Sequence, residues 1–201
     1  MDNSNFDSFD FNFDDFFSTT WTPKDWIGYI QRSDKDIAEF AEAYAANRKY
    51  TGLEEICNAN GYSLKPDTDA DENDFEQNSE PWTILNHPIY IISSGIIKFA
   101  NQKIESLMEL CQMSSLAIWQ VAKVMMEVSQ NLTLAVNSTD LGELALAKWQ
   151  YKKSLISLNY ALKQIEKIQG YPHEETRSIK DELFTAIFDL RQMCLDLSNE
   201  Q

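Results

Sequence analysis

From about Asn86 to Gln201 the apolar residues recur three and four positions apart, the spacing that lines one face of an α-helix. Counting in sevens from Ile97 gives Ile97, Ile104, Cys111, Ile118, Met125 and Leu132. The position three residues after each gives Ala100, Leu107, Ser114, Val121, Val128 and Ala135. Only Ser114 is polar. Such a repeat keeps one seam turned toward a neighbour, and the pattern predicts a continuous helix of about 40 residues, roughly 60 Å at 1.5 Å per residue. Asn137-Ser138-Thr139-Asp140 is expected to break it and cap the next helix. The second seam runs through Leu141, Leu144, Lys148, Tyr151, Leu155, Leu158, Leu162 and Ile165, and Gly170-Tyr171-Pro172 stops it. A third follows at Ile179, Leu183, Ala186, Leu190, Met193 and Leu197.

Three long helices joined by short connections predict an antiparallel array, completed to a bundle by the front of the chain or by another subunit. Further apolar residues lie off the seams: Trp119 on the first helix, Trp149 and Ile156 on the second, Phe184, Ile187 and Phe188 on the third. A second stripe calls for a second contact, either the rest of the bundle or an exposed surface for oligomers or lipid-like material.

The front of the chain reads differently. Thr22-Pro23-Lys24-Asp25 is a helix start, with Trp26, Ile27 and Ile30 as its apolar face. Ser33-Asp34-Lys35-Asp36 is expected to cap a second helix to about Lys49, carrying Ile37, Phe40, Ala41 and Tyr44 on one side. Thr51-Gly52-Leu53-Glu54 starts a short third that Gly61 ends. Residues 1–20 thread Phe6, Phe9, Phe11, Phe13, Phe16 and Phe17 through five Asp and contain no Lys or Arg. Such a segment cannot bury enough surface to fold alone, and it reads as a disordered tail whose Phe side chains suit a groove on a protein partner. The fold expected is therefore all-α: a coiled-coil-like bundle of long antiparallel helices over residues 86–201, a small helical module over 21–64, an acidic linker at 65–85 and a disordered acidic tail at 1–20.

Charge sharpens this division. Residues 1–86 hold 19 acids and 6 bases, residues 87–201 hold 13 acids and 11 bases, and the whole carries −15. Nucleic-acid binding needs Lys and Arg to displace counterions, so a polyanionic front argues against it. The N-terminus has neither the basic nor the apolar region of a signal peptide, and no apolar run reaches the roughly 18 residues of a transmembrane span. The chain reads as cytoplasmic. Cys57, Cys111 and Cys194 are scattered, odd in number and best read as reduced core thiols.

Chemistry is sparse. His87 and His173 each lack a Glu three residues before them, as a di-iron bundle would need, and no Cys lies nearby for zinc. No phosphate-binding glycine loop or nucleophile elbow is present. Counting from Asp69, the ligand positions of an EF-hand loop fall on Asp69, Asp71, Asn73, Phe75, Gln77 and Glu80. Asp74, however, stands where the loop needs glycine, Glu76 where it needs an apolar anchor, and Pro81 where the exiting helix should run. The segment reads as a solvated acidic linker. No catalytic residue, cofactor or metal site is therefore predicted; a helical enzyme or metal-binding bundle remains as the reading of a different class.

From about Lys98 to Gly170 the chain resembles the phasins, helical proteins that coat polyhydroxyalkanoate granules. The resemblance rests on a long amphipathic helix ending in Asn131-Leu132-Thr133-Leu134-Ala135-Val136, the cap Asn137-Ser138-Thr139-Asp140, then Leu141-Gly142-Glu143-Leu144 and Ala147-Lys148-Trp149-Gln150-Tyr151. It implies coiled-coil oligomers, no catalysis and binding to a hydrophobic polymer surface, with Ile118, Trp119, Met125, Trp149 and Ile156 as contacts. The residues themselves point first to a non-enzymatic scaffold or adaptor, a homo-oligomer held through its heptad seams (Ile97, Ile104, Leu107, Ile118, Val121, Met125, Val128, Leu132, Leu155, Leu158, Leu162, Ile165) that recruits a partner through the Phe-rich tail.

Overall fold

The computed structural model describes residues 21–64, 83–111, 115–168 and 173–200. Among these residues the structure is all-helical, without strands. The helices are α1 (Pro23–Asn47), α2 (Leu53–Ala59), α3 (Pro88–Leu110), α4 (Leu116–Asp140), α5 (Leu144–Ile165) and α6 (His173–Glu200), with a 3-10 turn at Ile84–Asn86 leading into α3.

Helix α3 packs on α4, α4 on α5, α5 on α6, and α6 returns to α3. Four helices with short connections close into an antiparallel bundle within one chain. The predicted 40-residue helix is thus two helices folded back on each other. Cys111 ends α3 with φ −90° and ψ 11°, and Ser115 opens α4 in an extended conformation. The heptad count runs through the bend because two antiparallel partners each need an inward stripe, and a connection of suitable length preserves its phase.

The α4–α5 turn also lies later than expected. Asn137 to Asp140 form the last turn of α4 rather than a cap for α5. The chain reverses at Gly142, whose φ of 74° is left-handed. The Gly142 amide donates to the Thr139 carbonyl at 3.0 Å and the Glu143 amide to that of Ser138 at 2.8 Å, the paired bonds of a Schellman ending.

Helix α1 is one element where two were expected. Thr22 caps it as predicted: the Asp25 amide donates to Thr22 Oγ1 and the Thr22 amide to Asp25 Oδ2. Ser33 caps nothing. It is buried, and its hydroxyl donates to the Leu85 carbonyl at 2.9 Å, so the helix passes through the predicted boundary. Nor is the front module separate from the bundle. Helix α1 lies along α3, running the same way: Tyr29 meets Thr83 (Oη to Oγ1, 2.5 Å), and Tyr44 stacks edge-on against Phe99. At the crossing a Cβ on Gly95 would sit 2.7 Å from Phe40 Cδ1, so only glycine admits the Phe40 ring. Phe40 and Tyr44 are almost fully buried, each contributing about 2–3 kcal/mol of apolar burial.

Candidate functional site

The predicted seam lies in the core of the single chain. Ile97, Ile104, Leu107, Ile118, Val121, Met125, Val128, Leu132, Leu158 and Ile165 are all buried, and Leu155 and Leu162 pack half-buried against them. Residues already covered within the chain are not free to bind another copy. Two of the five residues that the phasin resemblance points to, Ile118 and Met125, are core residues for the same reason. The other three are on the surface: Trp119 is 52%, Trp149 55% and Ile156 72% exposed.

Two polar clusters join the helices. Asp189 on α6 is 5% exposed and receives a bidentate pair from Arg48, with Nη2 to Oδ1 at 2.9 Å, and a hydrogen bond from Tyr44 Oη at 2.6 Å. Arg48 also donates to the Thr51 carbonyl at 3.1 Å. Every donor is turned inward, so the cluster fastens α1 to α6. Burial, reinforced by the Asp189 charge, holds the Tyr44 phenol protonated. The second cluster lies where α3 begins and α4 ends. His87 caps α3: its Nδ1 accepts from the Ile89 amide at 3.1 Å. Its Nε2 faces Asp140 Oδ1 at 3.6 Å, and the buried Asp140 Oδ2 has no hydrogen-bond partner. Burial lowers the His87 pKa and raises that of Asp140 to about 6, driving both toward their neutral forms. A histidine whose second nitrogen is committed to a helix cap is fixed in place and poorly suited to shuttle protons.

The three cysteines are buried, and burial pushes the Cys57 and Cys194 thiols up to about 12, far from a reactive thiolate. Among the described residues no three His, Cys, Asp or Glu side chains gather where a metal could bind, and no helix is long and apolar enough to cross a membrane. An open depression of about 360 Å³ between α3 and α4 is lined by Ser94, Ile97, Lys98, Asn101, Gln102, Glu105 and Ser129. It contains no close pair of groups suited to acid–base work. The EF-hand-like positions Asp69 to Glu80 and the tail phenylalanines Phe6 to Phe17 lie outside the described residues.

What remains is a surface of apolar stripes. On α4, Leu116, Trp119, Met126 and Leu134 are exposed, spaced to lie on one face opposite the buried Val121, Val128 and Ala135. On α5 the same holds for Leu146, Trp149, Ile156 and Tyr160, opposite Tyr151, Ser154 and Leu158. The two stripes differ in charge. Lys123 and Glu127 balance each other beside the α4 stripe, 3.8 Å apart. Helix α5 carries Lys148, Lys152, Lys153 and Lys163 and no Asp or Glu at all. Lys153 Nζ lies 5.3 Å from the Trp149 ring centroid, and none of the four lysines forms an ion pair with a described residue. Sequence reasoning passed over this basic face because charge was counted by halves of the chain; counted helix by helix it stands out. Comparison with protein-family models, curated proteins and solved structures returns no match.

Proposed function

We propose that this protein is a non-enzymatic helical scaffold or adaptor, self-associating through the outer face of α4 and recruiting a protein partner through the Phe-rich segment at residues 1–20. The observation that carries this reading is the exposed stripe Leu116, Trp119, Met126 and Leu134 on a bundle that already closes its own core. Large apolar side chains aligned on one helix face favour burial against a second surface, at roughly 25 cal/mol per Å² removed from water. A twofold pairing of α4 faces also brings Lys123 of one copy toward Glu127 of the other, whereas pairing α5 faces would set lysine against lysine. Sedimentation equilibrium tests this directly. The protein is expected to form a defined oligomer that Trp119→Ser with Met126→Ser reduces to monomer while helix content stays unchanged. A wild-type monomer, or an oligomer indifferent to both substitutions, overturns the reading. Removing residues 1–20 is expected to abolish partner capture and leave the oligomer intact.

A granule-coat role of the phasin type is favoured by a specific observation, the exposure of Trp119, Trp149 and Ile156 on neighbouring helices. It predicts partition of the protein to an oil or polymer surface, and release by Trp119→Ser with Trp149→Ser without unfolding. Failure to partition rejects it.

A further inference from the structure

We propose that residues 1–12 of the chain dock, within the same molecule, on the basic aromatic outer face of α5. This goes beyond the scaffold reading and does not depend on it, since the contact needs neither a second copy nor a partner.

Charge selects the surface. Residues 1–20 carry five Asp, six Phe and no base. The complementary surface must offer apolar area among cations without carboxylates, and of the four bundle helices only α5 lacks Asp and Glu. Its outer stripe interleaves Trp149, Lys153, Ile156, Tyr160 and Lys163, with Lys152 exposed beside Lys153. The other exposed apolar groups are less suited. Phe184 and Phe188 on α6 stand beside Asp181 and Glu182, and Trp26 and Ile27 on α1 follow Asp25, carboxylates that repel an acidic segment. The α4 stripe is neutral.

The geometry permits the contact. Tyr29 meets Thr83 and His87 meets Asp140, so the start of α1, the start of α3 and the end of α4 lie at one end of the bundle. Helix α5 begins at that same end with Leu144, and Leu141 and Leu144 are exposed there. Helix α1 packs on α3, which is diagonal to α5, so the chain must cross about three interhelical spacings of 8–10 Å, roughly 25–30 Å. Residues 13–20 cover that distance at about 3.3–3.6 Å per extended residue, which brings Phe13 to Leu141 and Leu144. Residues 1–12 then have a reach of about 40 Å, enough to run the roughly 33 Å length of the 22-residue α5 and set Phe6, Phe9 and Phe11 against Trp149, Ile156 and Tyr160.

The test uses the full chain with a nitroxide at position 8 (Ser8→Cys), which labels selectively because Cys57, Cys111 and Cys194 are buried. Amide signals of Trp149 to Tyr160 are expected to broaden, while those of Lys98 to Lys103 on the far side do not. Lys152→Glu with Lys153→Glu, both exposed positions, is expected to remove the broadening without changing the circular dichroism. Salt at about 1 M, where screening acts within about 3 Å, is expected to weaken it. A sample mixing labelled unenriched chains with unlabelled ¹⁵N chains separates the sources. Equal broadening there means that the tail of a second copy docks, and overturns the proposal. Broadening spread evenly over the bundle, or absent from α5, also overturns it. So does a face on which vesicles of anionic lipid shift the α5 signals while the label leaves them untouched.

Discussion

Helices α3 and α5 occupy diagonal corners of the same bundle, yet their outer faces have opposite fates. The first half of α3 is buried nearly all round: Ile89, Ile91, Ile92, Ile96, Ile97, Phe99 and Ala100 are all buried, because α1 lies over the side that the bundle leaves open. Helix α5 is buried along a single stripe, and its outer face presents Trp149, Ile156 and Tyr160 to solvent among lysines that form no ion pair with a described residue. A helix that is apolar all round is expected to be covered, and α3 meets that expectation within the chain. Helix α5 carries aromatic residues outward without any cover among the described residues. The difference separates a face completed by folding from one left in water.

The cover on α3 should be the most sensitive part of the molecule. Phe40→Ala empties the space beside Gly95 and is expected to cost about 3–5 kcal/mol, while Gly95→Val drives a branched side chain into Phe40 and is expected to release α1 altogether. Chemical denaturation followed by circular dichroism measures the first. The near-ultraviolet signal of Trp21, Trp26 and Tyr29, which form one aromatic cluster at the start of α1, reports the second. A loss below about 1 kcal/mol for Phe40→Ala would mean that α1 contributes little to the closed face. Asp189→Ala comes next. It leaves Arg48 and Tyr44 without their shared acceptor and is expected to cost about 3 kcal/mol, the usual penalty for breaking a buried pair from one side. Asp189→Asn, which can accept only part of those bonds, should fall between.

The two faces were unequally legible in the sequence. The helical spacing of Phe40, Ala41 and Tyr44 identified a face that must be covered, but not that it packs against the start of α3. The match between them depends on Gly95, a residue without a side chain to reveal its contact. The heptad count located the buried stripes of α3, α4 and α6 and, of the α5 seam, the part from Tyr151 onward, whereas Leu141 and Leu144 are exposed; it missed that α3 ends at Leu110 and α4 begins at Leu116. A seven-residue repeat records which side of a helix is inward, and an antiparallel turn in register leaves that record intact. Trp119, Trp149 and Ile156 were recognised as lying off the seams, and periodicity alone could not say whether they faced a neighbour or water. The lysines of α5 were visible throughout; they acquired meaning only once Trp149 and Ile156 were found outside. Asp189 sits on a helix with many acids, and nothing in its sequence context marks it as buried.

A smaller effect tests the corner between the two regions. Burial raises the Asp140 carboxyl to about 6 and lowers the His87 imidazole below its usual value. The folded state therefore favours the neutral acid: Asp140 costs no stability below its ordinary carboxylate range and costs progressively more as pH rises through about 6. For His87 the sign is reversed, with stability lost as pH falls below its usual value, because the folded state resists the imidazolium. Asp140→Asn is thus expected to raise Tm at pH 8, with the gain shrinking toward pH 5. His87→Asn, a residue able to cap α3, should remove the loss on the acid side. A Tm difference for Asp140→Asn that does not change with pH would show that Asp140 is ionised in the fold at every pH tested.

The smallest expected effect is the most informative about α5. Ile156→Ser and Trp149→Ser replace residues that are mostly in water, so each should change stability by no more than about 0.5 kcal/mol, against several for Phe40→Ala. If the outer face of α5 were a core face merely lacking a lid, as α3 would be without α1, its aromatic residues would already be tied into the packing and their loss would be felt. If it is a binding face, the same substitutions should spare the fold and remove the contact. Urea denaturation of the two variants beside Phe40→Ala decides between these. A loss above about 2 kcal/mol in Ile156→Ser would place α5 in the same class as α3 and end the distinction between a face completed by folding and one kept for a ligand.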